Sequence, residues 1–184
     1  DALLVEDGPD VVRVDVAEWN SGVPTSIWRS VGHSYTCFVI ESFIDELAAT
    51  AGEDPAAFRR RLLRDSPRHL GVLDLVLAKS GWDTRPPPGR RRGLALQQAF
   101  GSVVAQVAEV SVGRDGGIRV HRVTCAVDCG IAVNPDVVRQ QMEGGILFGL
   151  SAALHGEITI RDGAAVEGNF DEYRVLRLAD APEI

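Results

Sequence analysis

The sequence predicts an α+β domain, in which a three-helix segment sits beside a mixed or antiparallel sheet that a glycine-rich helix closes. Three observations carry that expectation. Between residues 34 and 81 apolar side chains recur at helical spacing. Between residues 92 and 128 they alternate as strands do. The proline-rich link at 83–92 separates the two patterns and reads as a lobe boundary.

Taken in order, Leu3–Val5 and Val11–Val16 are candidate strands, the second alternating Val12, Val14 and Val16 against Arg13 and Asp15. A turn at Gly22–Pro24 leads to the loop Trp28-Arg29-Ser30-Val31-Gly32-His33-Ser34. A helix then starts at Ser34. Its stripe of Phe38, Ile40, Phe43, Ile44 and Leu47 is expected to face inward, with Glu41, Asp45 and Glu46 on the wetter side and Gly52 at the end. Asp54-Pro55 supplies an N-cap and a first-turn proline for a second helix. That helix carries Phe58, Leu62 and Leu63 inward, and Arg59, Arg60, Arg61 and Arg64 suit its C-terminal end. Ser66-Pro67 repeats the start signal for a third helix through Leu70, Leu73, Val76 and Leu77 to Gly81.

Past the link, strands are expected at Leu94–Phe100, Val103–Val112 and Ile118–Val127. The Gly113-Arg114-Asp115-Gly116-Gly117 turn makes the last two a hairpin. Asn134-Pro135-Asp136 opens a helix running to about His155, with Gly144, Gly145 and Gly149 inside it. Three such glycines cost a helix roughly 3 kcal/mol against alanine. They therefore imply a close approach to the backbone, by another element or by a ligand. A short hairpin around Asp162-Gly163 follows, and Pro182-Glu183-Ile184 reads as the start of another strand. The chain divides into a strand–loop–helical segment at 1–82 and a sheet-plus-helix segment at 93–184.

The chain of 184 residues is 45% hydrophobic and 24% charged, the balance of a globular domain. Its net charge of −7 disfavours a nucleic-acid partner. Arg85, Arg90, Arg91 and Arg92 read as a solvated loop, with a subunit contact or an anion site as the sharper alternative. No apolar run approaches the roughly 20 residues of a membrane span. No targeting leader is visible, which says little if the chain is cut from something longer and leaves the compartment unknown. Cys37, Cys125 and Cys129 are too few for a disulfide scaffold. On a strand, Cys125 and Cys129 would stand about 13 Å apart, beyond a bridge, so structural thiols are expected. His33, His69, His121 and His155 lack ligand spacing, and Asp128 and Asp171 read as turn caps.

Two places remain. A loop bearing Trp28 and Arg29 before a helix offers unpaired N–H groups to an anion, or else Ser34 is simply the helix N-cap. Gln140-Gln141 enters a glycine-rich helix, where a buried amide would need a partner, or else lies on an exposed face.

Both places carry a family resemblance. WRSVGHSYTCFVIESFIDE at 28–46, AVDCGIAVNPDVVRQQMEGGILFGLSAAL at 126–154 and GNFDEY at 168–173 with Val175-Leu176-Arg177 resemble, in that order, the molybdopterin-binding large subunit of isoquinoline 1-oxidoreductase-like enzymes in the xanthine oxidase and aldehyde oxidoreductase family. The resemblance implies a C-terminal piece of a molybdenum hydroxylase, with both segments parts of one incomplete cofactor domain. It places the main chain of Ile27, Trp28, Arg29 and Ser30 against the metal centre and gives Gln141 a hydrogen bond to an oxo-type ligand. The Arg29-Ser30 pair stands where the family usually has Arg-Gly, the form associated with the isoquinoline branch.

It further implies molybdopterin, as the cytosine dinucleotide, and hydroxylation of N-heteroaromatics or aldehydes with oxygen from water. The partners it implies are the rest of the large subunit, an iron–sulfur small subunit and a small-molecule substrate. The family's catalytic glutamate belongs to a Gly-x-Gly-Glu segment that this sequence does not contain, so no catalytic residue is assigned, and the isolated chain is expected to be inactive without bound cofactor. A free-standing, non-catalytic binding or assembly module that keeps the fold is the alternative.

Overall fold

The computed structural model describes residues 26–184 together with Ala17, Asn20, Gly22 and Val23; the strands expected at Leu3–Val5 and Val11–Val16 lie outside the described residues. The order is α1 (His33–Ala51), α2 (Pro55–Leu62), α3 (Pro67–Ser80), β1 (Arg90–Ala99), β2 (Ser102–Val112), β3 (Ile118–Asp128) and α4 (Pro135–His155). A two-residue ladder of β4 (Ile160–Arg161) with β5 (Ala164–Ala165) and a single 3₁₀ turn follow. The α+β architecture is as the sequence predicts.

The three long strands lie in the order β1-β2-β3 and pair antiparallel throughout. β1 turns into β2 through Phe100 and Gly101, both with positive φ, as a two-residue hairpin requires. One face of the sheet buries Leu94, Leu96, Val103, Ala105 and Val107 against Val72, Leu73, Val76 and Leu77 of α3. That core takes residues from both sides of the proline-rich link. On the other face, Ile146, Leu150 and Leu154 of α4 pack on Val120, Val123 and Val110.

The Asp54 N-cap forms as expected, its Oδ1 accepting from the Ala56 and Ala57 amides. Ser66 makes no such side-chain bond, and Ser34 is not a cap at all: α1 starts at His33, and the Ser34 hydroxyl donates to Val31 O at 2.7 Å.

The expected inner face of α1 is overturned. Phe38 is 73% exposed and Phe43 58%, whereas Glu41 is only 6% exposed. The reason is Arg59, which is also buried and is not the solvated helix-end cation its position suggests. Its guanidinium reaches Glu41 Oε2 at 3.0 Å and Asp45 Oδ1 at 2.6 Å, and donates to the carbonyls of Glu41 and Leu94. Glu41 Oε2 in turn accepts from Leu96 N–H at 2.7 Å. Burial holds the Glu41 carboxyl above its ordinary range, and Arg59 opposes that shift. The inner face of α1 thus carries a buried ion pair in place of the apolar stripe, and leaving either ion there without its partner would cost several kcal/mol.

The arginine run is also corrected. β1 begins at Arg90, and Arg90 and Arg92 hold the buried Glu109 at 2.7 and 3.3 Å. The Arg90 hydrogen bond lowers the Glu109 carboxyl. Arg92 also donates to the carbonyls of Gly81 and Thr84. These two cations are therefore occupied within the fold and offer no anion site.

Asp128 does cap a turn, accepting from Gly130 N–H, but it also binds Arg68 at 2.9 Å, fastening α3 to the end of β3. The Arg68 hydrogen bond leads in lowering its carboxyl from 3.8 to about 2. A depressed acid stabilises the fold fully above its unfolded value and loses that contribution as pH falls through the folded one. The acid loss of stability between 3.8 and about 2 is thus expected to shrink in Asp128→Asn, as read from urea midpoints across that window.

Candidate functional site

The loop before α1 is built by two tight backbone bonds, Val31 N–H to Trp28 O at 3.0 Å and His33 N–H to Ser30 O at 3.1 Å. Closing it forces Ser30 to φ 70° and Val31 to φ 51°, a conformation most side chains avoid. The turn leaves the amides of Arg29 and Ser30 without an acceptor among the described residues, and Gly32 caps α1 with no side-chain oxygen. A cluster of N–H donors with positive potential results.

The loop is seated on α4. The Trp28 ring lies 5.4 Å from the Phe148 ring, and the Arg29 guanidinium stands 5.6 Å over the same ring, a cation–π contact. Between loop, α1 and α4 runs a cleft of about 610 Å³, lined by Trp28, Arg29, Ser30, Phe38, Gly145 and Phe148, with Gly149 beside them. A Cβ built on Gly144, Gly145 or Gly149 would meet nothing within 4 Å. No described element of this chain makes the close approach that three helical glycines imply, so the space over Gly145 and Gly149 is open.

Trp28, Arg29 and Ser30 line the cleft; Ile27, 85% exposed, does not. Gln141 is exposed and lies outside the lining. It does share the helical stripe 141, 145, 148 and 152, one turn from Gly145 and roughly 10 Å along the axis from Phe148. A second cavity of about 300 Å³ shares Gly145 and is lined by Cys37, Gln97 and Met142. There Gln97 Oε1 is buried without a partner, while its Nε2 meets His33 Nδ1 at 3.1 Å.

Sequence reasoning passed over Phe148 and Gln97. Phe148 was discoverable, since it stands three residues past Gly145 on the same stripe; Gln97 sits among alternating strand residues with nothing to mark it.

Among the described residues no three His, Cys, Asp or Glu side chains gather as a metal site. All three cysteines are free and half-buried. Burial pushes the Cys37 and Cys125 thiols up to about 11, so they stay protonated at neutral pH. The donor set suits an organic, anion-bearing group: main-chain N–H groups, a guanidinium and an apolar floor of Phe148 beside Gly145 and Gly149.

The family model for the molybdopterin cofactor-binding domain matches residues 76–182, taking in Gln141 and all of α4 but not the loop before α1. The chain is 36% identical over 176 residues to the beta chain of isoquinoline 1-oxidoreductase from Brevundimonas diminuta, covering 94% of this chain and 22% of that protein. It is 33% identical over 176 residues to a membrane-bound aldehyde dehydrogenase (pyrroloquinoline-quinone) of Gluconacetobacter polyoxogenes, covering 85% and 23%. To a nicotinate dehydrogenase subunit of Pseudomonas putida it is 30% identical over 191 residues, covering 94% and 16%. The chain thus spans less than a quarter of the length of each.

Proposed function

This chain belongs to the molybdopterin cofactor-binding domain family, and on that premise we propose that it is part of the large subunit of a molybdenum hydroxylase. The enzyme would hydroxylate N-heteroaromatics or aldehydes with oxygen from water. The observation that carries the reading is the cleft between the Trp28–Ser30 loop and the glycines of α4. In this reading the main chain of Ile27, Trp28, Arg29 and Ser30, with the free amides of Arg29 and Ser30 as donors, would hold the metal centre of a molybdopterin in its cytosine dinucleotide form. Gly145 and Gly149 give it room, and the Gln141 amide, one turn along the stripe, orients its metal-bearing end. Bound there, the cofactor supplies the oxidising centre. This chain's residues bind and orient it, while electrons leave through an iron–sulfur small subunit.

Among the described residues the cleft has walls on the sides of α1, the loop and α4; in this reading the rest of the large subunit closes it, and the 184-residue chain alone is expected not to turn over. A free-standing module is disfavoured by the apolar side chains left in solvent, among them Ile27, Phe38, Val39 and Phe43.

The test is Gln141→Ala in the assembled enzyme. Loss of a positioned hydrogen bond to a reacting centre costs about 10²–10³ in kcat. That loss is expected with molybdenum content held at the level of the unmodified enzyme. Unchanged kcat removes Gln141 from the site. A pyrroloquinoline quinone in place of molybdenum, the group in one relative's name, overturns the reading altogether.

A further inference from the structure

On the face of the sheet that α4 covers, a gap of about 300 Å³ remains between α4 and α1. Its floor is made of neighbouring strand residues, with Ala95 opposite Gln106 and Gln97 opposite Val104. Cys37 of α1 lines one side, and Met142 and Ile146 of α4 line the other. At Gly145 the gap meets the cleft under the Trp28–Ser30 loop, because that glycine lines both. Its size lies at the lower end for ligand pockets and suits a molecule of one or two rings.

Among the described residues the lining carries no ionised group. The Cys37 thiol, pushed up to about 11 by its burial, stays protonated at neutral pH, and the other side chains are apolar or carboxamides. A charged ligand would lose its hydration there with nothing to offset the loss, so the gap selects for neutral molecules. The two carboxamides are not equivalent. Gln97 is already committed: its Nε2 donates to Gln98 O at 2.9 Å and meets His33 Nδ1 at 3.1 Å, while its Oε1 is buried. Gln106 is half-buried, and its side chain has no hydrogen-bond partner among the described residues. A glutamine amide presents an N–H donor and a C=O acceptor side by side. Its complement is a ligand edge with the opposite pair, a carbonyl next to an N–H, which is the edge of a lactam.

We propose that this gap holds a neutral lactam ring, recognised by Gln106 through two hydrogen bonds. Gln106 Nε2–H donates to the lactam carbonyl, and Gln106 Oε1 accepts from the lactam N–H. The ring itself lies against Ile146 and Met142, whose thioether packs well on aromatic rings. The identity of the ligand rests on reading the adjoining cleft as a hydroxylating centre. At a carbon next to a ring nitrogen, ring C–H and water become C–OH, with two protons released and two electrons passing to the cofactor. A proton shift from that oxygen to the ring nitrogen then gives the lactam. The unhydroxylated ring has only an acceptor nitrogen and makes one of the two bonds, so the gap favours product over substrate.

The test is equilibrium dialysis of the assembled protein against 2-quinolone and against N-methyl-2-quinolone, which keeps the carbonyl and lacks the N–H. Unmodified protein is expected to bind 2-quinolone at least about tenfold more tightly than the methylated ring, because the latter leaves Gln106 Oε1 unpaired. Gln106→Met, of similar shape and without the amide, is expected to bind the two rings equally. Absence of binding, equal binding by the unmodified protein, or a preference that survives in Gln106→Met would overturn the proposal; the last would show that the methyl group is excluded by shape alone. Molybdenum content is measured on the same samples, and the dialysis itself needs no metal. Metal-free protein that keeps the preference would defeat the cofactor reading and leave Gln106 as the recognising residue, whereas full metal without the preference would defeat this inference alone.

Discussion

Arg59→Met is expected to destabilise the chain by about 3–5 kcal/mol, the cost of breaking a buried ion pair by removing one member. Glu41 would remain at 6% exposure with no cation, and the Leu94 carbonyl and Asp45 would lose their donor. Because domains of this size are stable by only about 5–15 kcal/mol, a large fraction of the total is at stake. The pair's net worth is a separate quantity. Glu41→Leu combined with Arg59→Met leaves neither charge buried, and replacing a buried pair by apolar residues is often neutral. The double variant is expected to recover most of the loss, although Leu96 N–H forfeits its acceptor. Urea denaturation of the two singles and the double measures the coupling. A single variant costing under about 1 kcal/mol would show that α1, α2 and β1 are held together by something else.

Gly145→Leu is expected to uncouple stability from cofactor binding. Gly145 lines both the cleft under the loop and the cavity beside Gln97, and a Cβ there meets nothing within 4 Å, so the isolated chain is expected to tolerate a side chain at this position. Helix propensity alone favours the change by roughly 1 kcal/mol. In the assembled enzyme the leucine stands where the cofactor is proposed to lie. Molybdenum and pterin content are expected to fall at least about tenfold, the equivalent of 1.4 kcal/mol of binding. Gly144→Ala is the control, since Gly144 lines neither cavity. It gains the same helix propensity and keeps the cofactor. Full occupancy in Gly145→Leu would mean that the glycines serve some other contact.

The elements of this fold were legible because their signals are local. Asp54-Pro55 and Asn134-Pro135 each place an N-cap and a first-turn proline in adjacent positions, and the structure starts helices at both. The alternation in β2 and β3 fixes which side chains face α3. What the sequence hid was set by distant partners. Phe38 and Phe43 read as core because helical periodicity reports only that a face is apolar, never which surface covers it. Glu41 and Arg59 are 18 residues apart, and nothing local announces that both are buried together. Of the candidate site, Trp28, Arg29 and Ser30 do come together with the α4 glycines. Phe148, which fastens the loop, went unremarked as one more apolar residue in a helix. The Gln97 carbonyl depends on how α1 and α4 meet over the sheet, and no spacing encodes that.

Hydrogen exchange of the assembled protein, with and without its cofactor, tests most directly whether the loop and α4 form the binding site. Cofactor-dependent protection is expected to concentrate in two stretches far apart in sequence, the loop from Trp28 to Tyr35 and the segment of α4 from Gly145 to Ala153, with β2 little changed. Protection absent from both stretches, or confined to the groove along Cys125 and Val138, would contradict that site.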